Sequence, residues 1–280
     1  MRYGSIRYVN NLPVDHGLVK GHTERPDGLT IVEGNPAELN RAFAAGDVEV
    51  SAVSAACLLD GPEATLLPEA AIASHAEVDS VLLLSNLPVD ELDGAAIAVT
   101  SESATGALLL RILLETGRGV RPEYVQSDAS LVDMLTEADA ALLIGDRALV
   151  EPHSIDAPQG LQVLDLGEAW RTYTGLPMVY AVWAARSATV KDDPSGVDAL
   201  RSAILASQEW ASANREEIVA VASRRTGVSE TVLERYYSRL TYRLGPAERS
   251  GLERFLAEAA RLDAGVPIPI TVFPTLEAPA

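Results

Sequence analysis

The sequence predicts an α/β protein with a largely parallel sheet, divided into two lobes. Apolar runs of strand length alternate with helical periodicity nearly throughout. A chain of 280 residues, 48% hydrophobic, fits two lobes of ordinary size. Two long apolar runs, at 80–88 and 178–185, bracket the middle of the chain. Crossing once out and once back, they would form a hinge between a discontinuous lobe made by the chain ends, 1–86 plus 184–280, and an inserted lobe, 87–183.

In order, residues 4–9, 30–32, 49–53, 71–74 and 80–85 read as strands. Between them, "GNPAELNRAF" carries a strong helix start: Asn35 as cap, Pro36 at the first helical position, Glu38 placed for a capping box, and Leu39 with Phe43 on one face. Structure therefore accounts for Asn35 without a functional role. The second series reads as a strand at 95–100, a helix at 105–115 ended by Gly117, a strand at 123–126, a helix at 130–137, strands at 140–144 and 161–166, and a short helix near Trp170. Residues 197–262 read as mostly helix, "KDDPSG" from Lys191 as a surface connection, and the tail "TLEAPA" as frayed.

Composition removes several function classes. A net charge of −18 with two lysines, Lys20 and Lys191, argues against a nucleic-acid or anionic-membrane surface, since both need clustered cations. The single cysteine, Cys57, excludes an intrachain disulfide and a cysteine-rich metal site, and reads as a small buried hydrophobe. His16, His22, His75 and His153 lie in no metal-ligand spacing, and no P-loop, dinucleotide fingerprint or nucleophile elbow occurs. No cofactor and no metal are therefore expected. The apolar stretches fall short of the ~20 residues that span a bilayer, and "MRYGSIRYVNN" enters a strand-like pattern without export-signal features. A cytoplasmic address is the expectation; oligomeric state is not legible.

In open α/β sheets, ligands sit beyond the carboxyl ends of the strands, where helix N-termini present free N–H groups. Five such ends carry small polar groups: Asn10 and Asn11; Ser51 and Ser54; Ser80; Ser101, Ser103 and Thr105; Gly145 and Asp146. The segment "TSESATGALLL" offers hydroxyls and unpaired amides at a helix start, which bind carboxylate without lysine or arginine. That suits an anionic ligand in an acidic protein. Asp146 is equally a helix cap and a candidate acid or base. Trp170, Tyr173 and Trp183 read chiefly as packing around the hinge.

Taken together, "YVNNLP", "GNPAELNRAFAAGDVEVSAVS", "VDSVLLLS", "LLIGDRAL" and "DLGEAWRTYTGLPMVYAVWAAR" resemble, in order and spacing, the chorismate dehydratase family of the futalosine route to menaquinone. The resemblance runs from about residue 3 to 270. It implies a type II periplasmic-binding-protein-like fold with two crossover hinge strands, and a cofactor-independent hydro-lyase that converts chorismate into 3-[(1-carboxyvinyl)oxy]benzoate. Met178 and Tyr180 depart from the expected "TGLPFVFAVW", and Gly106 replaces a frequent hydroxyl, leaving only its backbone N–H to serve.

On this reading Ser103, Thr105 and Gly106 receive one carboxylate, with Ser54, Ser80 and Gly145 completing the substrate site. No strand end offers an obvious base, which leaves Asp146 or the substrate's own enolpyruvyl carboxylate. The second is favoured, with Asn10 holding the side chain in a reactive conformation. The alternatives are the related naphthoate-forming enzyme, from which a "SPCPND"-type start is expected instead of "YVNNLP", and a non-catalytic solute-binding protein for a small carboxylate.

Overall fold

The computed structural model describes residues 1–262, 265 and 270–274; the tail "TLEAPA" lies outside them. The first lobe opens with strand β1 (Arg2–Ile6), a 3-10 turn at Val9–Asn11, helix α1 (Leu12–Lys20), β2 (Thr30–Gly34), α2 (Pro36–Ala45), β3 (Val50–Ser54) and β4 (Ala64–Ser74). Then follow β5 (Val81–Ser85), β6 (Ala96–Val99), α3 (Ala104–Arg111) running into a π-helical turn at Ile112–Thr116, β7 (Glu123–Gln126), α4 (Leu131–Glu137), β8 (Ala140–Ile144), α5 (Gly145–Val150), β9 (Gln162–Asp165) and α6 (Leu166–Thr174). The chain returns through β10 (Met178–Arg186), α7 (Ser187–Asp192), α8 (Pro194–Ala213), α9 (Arg215–Thr226), α10 (Glu230–Arg239), β11 (Leu240–Thr241), α11 (Pro246–Arg261) and β12 (Ile270–Val272).

Among the described residues, one sheet runs β11-β4-β10-β3-β1-β2, with β12 also on β4, and a second runs β7-β6-β8-β5-β9. The first three strands pair in parallel, as do β6, β7 and β8. β10 and β5 run antiparallel to their neighbours. This pairing corrects the division expected from sequence. Residues 81–85 belong to the second sheet and 178–186 to the first. The two passages between sheets therefore occupy 75–80 and 175–177, and neither long apolar strand crosses. Both are apolar because each lies inside a sheet, covered on both faces.

Caps fall where the sequence places them. Asn35 and Glu38 form the reciprocal capping box, and α2 ends at Gly46 in the left-handed conformation. Ser130 caps α4 through the Asp133 amide. In "YVNNLP", Pro13 sits in the first turn of α1, where its missing N–H costs nothing. "KDDPSG" likewise ends α7 and starts α8, with Asp193 capping the Gly196 amide.

The first passage is held by Asp165. Its carboxylate accepts from the Val78 and Asp79 amides, at 3.0 and 2.8 Å, and caps α6 through Gly167 and Glu168. One side chain thus fixes the crossing segment to the start of a second-lobe helix.

Candidate active site

The carboxyl ends of β1 and β3 face those of β6 and β8 across a cavity of about 560 Å³, including its open mouth. Asn10 and Ser54 line it from the first lobe, Ser80 from the passage, and Ser103, Thr105, Gly106 and Gly145 from the second lobe. Asp146 is not among the lining residues. Its Oδ1 accepts the Val9 amide at 2.9 Å, and burial lifts its carboxyl above the usual range against the pull of that bond. It therefore ties α5 to the 3-10 turn of the other lobe from outside the cavity lining.

The adjacent asparagines differ in what their Nδ2 groups engage. Asn11 is buried, and its Nδ2 donates to the Ile6 carbonyl at 2.9 Å, to Asp15 Oδ1 at 2.9 Å and to Ser5 Oγ at 3.2 Å. Asp15 in turn accepts from Tyr3 Oη at 2.8 Å, and that hydroxyl accepts from Trp183 Nε1 at 2.7 Å. A buried network reaching β10 thus holds the 3-10 turn from beneath. Asn10, next to it, lines the cavity and takes no part in this network; its Oδ1 is buried and meets no donor among the described residues, as is also true of the Asn11 Oδ1. Leaving a buried carbonyl unmade costs about 1–3 kcal/mol, the sort of local cost that functional sites carry.

Most other polar groups at the cavity are engaged. Ser54 Oγ accepts from Asn40 Nδ2 at 2.7 Å, and Ser80 Oγ from Tyr236 Oη at 3.0 Å. Ser103 caps α3 through the Gly106 amide at 3.1 Å, and Thr105 Oγ1 accepts from the Ala56 amide of the first lobe, also at 3.1 Å. A Cβ at Gly106 would stand 2.3 Å from Ser103 Oγ, so a side chain there would push the capping hydroxyl aside. At Gly145 φ is +56° and a Cβ would lie 2.7 Å from the Tyr8 ring. Ser51 and Ser101 turn to local partners, the Ala52 carbonyl and Asp128.

Three lining residues were not singled out by sequence. Tyr8 opens "YVNNLP", and its hydroxyl donates to Glu102. Glu102 lies inside "TSESATGALLL", and Tyr180, noted from sequence only as a departure from the family pattern, places its hydroxyl 3.1 Å from Ser74 Oγ. Each sits at a strand end or on a strand entering the cleft, which is the signal that could have found them. Trp170 donates to the Pro177 carbonyl and Trp183 to Tyr3, both away from the cavity. His75 pairs with Glu248 at 2.9 Å, and half-buried Cys57, its thiol pushed up to about 11 by burial, lies outside the lining. Among the described residues no cluster of histidine, cysteine and carboxylate groups could hold a metal, and no helix is long and apolar enough to cross a membrane.

Residues 1–261 match the family described as menaquinone biosynthesis. The chain belongs to this family. Within it, the sequence is 34% identical over 272 residues to a chorismate dehydratase of Thermus thermophilus, covering 92% of this chain and 94% of that one. It is 26% identical to a 1,4-dihydroxy-6-naphtoate synthase of the same organism, over 98% of each. Among solved structures, an Archaeoglobus fulgidus protein superposes with a TM-score of 0.77 at 22% identity, over 94% of this chain and 97% of that one. The periplasmic aliphatic sulphonate binding protein SsuA of Escherichia coli does so at 0.64 and 16% identity, over 95% and 93%. The fold of this menaquinone-biosynthesis family member is thus that of the two-lobed periplasmic binding proteins.

Proposed function

We propose that the protein is a chorismate dehydratase, a hydro-lyase that removes water from chorismate to give 3-[(1-carboxyvinyl)oxy]benzoate. The observation that carries this is the 34% identity to a chorismate dehydratase along nearly the whole of both chains. The site agrees in kind. Loss of the ring hydrogen and the neighbouring hydroxyl makes an aromatic ring, so positioning and desolvation are the main demands on the protein. A cleft walled by neutral amides and hydroxyls supplies them.

Proton removal falls to the substrate's enolpyruvyl carboxylate, tethered beside the hydrogen it takes. Asp146 Oδ1, engaged by the Val9 amide outside the cavity lining, supports a route that does not use it as base. The unpartnered Asn10 amide orients the enolpyruvyl group: an amide donates and accepts without a charge that would quench the basicity of a carboxylate. Ser103, Thr105 and Gly106 at the start of α3, engaged in the helix cap and in the tie to Ala56, shape the walls together with Ser54, Ser80 and Gly145. The chemistry calls for no redox step and no electron sink, so we take the enzyme to be cofactor-independent. Its place is the futalosine route to menaquinone, in the cytoplasm.

Mixing purified protein with chorismate alone and separating the products by chromatography tests the proposal. The aromatic enolpyruvyl benzoate is expected. Tight chorismate binding without product would favour a solute-binding protein instead.

A further inference from the structure

The cleft proposed to receive a dicarboxylate is lined, among the described residues, by one carboxylate of its own and by no lysine, arginine or histidine. That carboxylate belongs to Glu102, between β6 and α3 in the second lobe, yet its partners lie in the first. Tyr8 Oη donates to its Oε2, and Asn35 Nδ2 donates to its Oε1 at 3.0 Å. Each carboxylate oxygen thus receives one neutral donor, and the two donors come from separate elements.

Both donors are positioned without help from Glu102. The Tyr8 ring packs over Gly145, where nothing larger than hydrogen fits. Asn35 is fixed by its own capping box, since its Oδ1 accepts the Glu38 amide at 2.8 Å and leaves Nδ2 to point elsewhere. Two preset donors, spaced for the two oxygens of one carboxylate, make a carboxylate seat that needs no cation.

We propose that Tyr8 and Asn35 form a carboxylate subsite of the cleft, which Glu102 fills as an intramolecular stand-in and yields to a carboxylate of the incoming ligand. The inference rests on the dehydratase reading only for the identity of the natural ligand; the seat itself fits any planar carboxylate. A tethered competitor lowers the apparent affinity of whatever replaces it, so removing Glu102 tightens binding.

Benzoate is titrated calorimetrically into the wild type, Glu102→Ala and the double variant Tyr8→Phe with Glu102→Ala, and chorismate kinetics are recorded on the same proteins. Glu102→Ala should bind benzoate and lower the chorismate KM by about tenfold, and adding Tyr8→Phe should cancel both gains. Glu102→Gln, similar in shape and uncharged, should give a smaller gain of the same sign. Benzoate binding that is weaker in Glu102→Ala, or equal or absent in all three proteins, would overturn the subsite. So would a collapse of kcat with KM unchanged, which would make Glu102 a reacting group. If the benzoate pattern holds while the wild type turns over no chorismate, the subsite stands and the dehydratase reading fails.

Discussion

The two edges of the cleft carry similar small polar residues at similar strand ends and use them in opposite ways. On the second-lobe edge, Ser103 is consumed by the cap of α3, Thr105 by the Ala56 amide and Asp146 by the Val9 amide. On the first-lobe edge, Asn11 spends its Nδ2 beneath the turn, while Asn10, one residue earlier, lines the cleft with a side chain that makes no hydrogen bond among the described residues; the Oδ1 of each is buried without a donor. The local backbone makes the difference. A helix start at a strand end presents orphan amides that capture nearby hydroxyls and carboxylates. A three-residue 3-10 turn braced from below by Asn11 leaves its outward side chain unclaimed. The first edge therefore supplies the free chemistry, and the second supplies walls and ties between the lobes.

The largest expected effect tests that division directly. Asn10→Ala should lower kcat by about 10²–10³-fold, equivalent to about 3–4 kcal/mol of transition-state stabilisation, with the melting temperature raised as the orphaned carbonyl is removed. Steady-state kinetics and thermal unfolding of the same sample check both halves.

Next comes the contact where the edges touch. Gly145→Ala sets a Cβ against the Tyr8 ring on left-handed backbone, and should destabilise by about 1–3 kcal/mol while raising KM. An unchanged urea midpoint would show that the Tyr8 packing is looser than the geometry requires.

A third test reaches the support beneath the first edge. Burial lifts the Asp15 carboxyl to about 6, against hydrogen bonds from Tyr3, Asn11 and Ser5 that pull it down. The native state holds this proton more tightly than the unfolded chain does, so through Asp15 acidification below pH 6 stabilises the fold. Burial, helped by Arg225, depresses neighbouring His16 to about 4. The unfolded chain protonates that imidazole first, so through His16 acidification from about pH 6.5 toward 4 destabilises. Each slope is at most about 1.4 kcal/mol per pH unit, and the two oppose. Asp15→Asn should therefore lose stability more steeply on acidification, and His16→Gln should gain it. Urea unfolding across this pH range that gives parallel curves for both variants would remove these groups from the support.

The smallest effect belongs to Asp146→Asn. The amide oxygen still accepts from Val9, so activity should stay within about tenfold, or about 1.4 kcal/mol, of the wild type. If Asp146→Asn abolishes turnover while Asn10→Ala retains it, the contrast between the edges is reversed and so is the assignment of the base.

Much of this molecule was legible in the sequence because the responsible forces are local. Strands 123–126 and 140–144 appear with the boundaries their apolar pattern predicts, and the Asn35 capping box forms as its spacing requires. The misses are non-local. The run at 71–74 extends back to Ala64 because β4 finds partners there in β10 and β12, which no propensity of residues 64–70 announces. Helix α1 is not announced by its sequence, because Asn-Leu-Pro suits a turn as well as a helix start, and contacts of α1 with α8, including Ser207 Oγ at 3.2 Å from the Leu18 amide, select the helix. The short strands β11 and β12 exist through pairing with β4.

What the sequence determined by itself was the α/β alternation, the caps, the family resemblance and the set of strand ends at which a site could form, since all of these follow from periodicity, spacing and short motifs. The tertiary structure decided where the chain crosses between lobes, and which polar group at each strand end stays free. It brought Tyr8 and Asn35 to Glu102 across 94 and 67 residues of chain, and turned Asn11 inward to leave Asn10 in the cleft. Hydrogen-bond partners so remote in sequence are set by packing, and packing is a property of the whole fold.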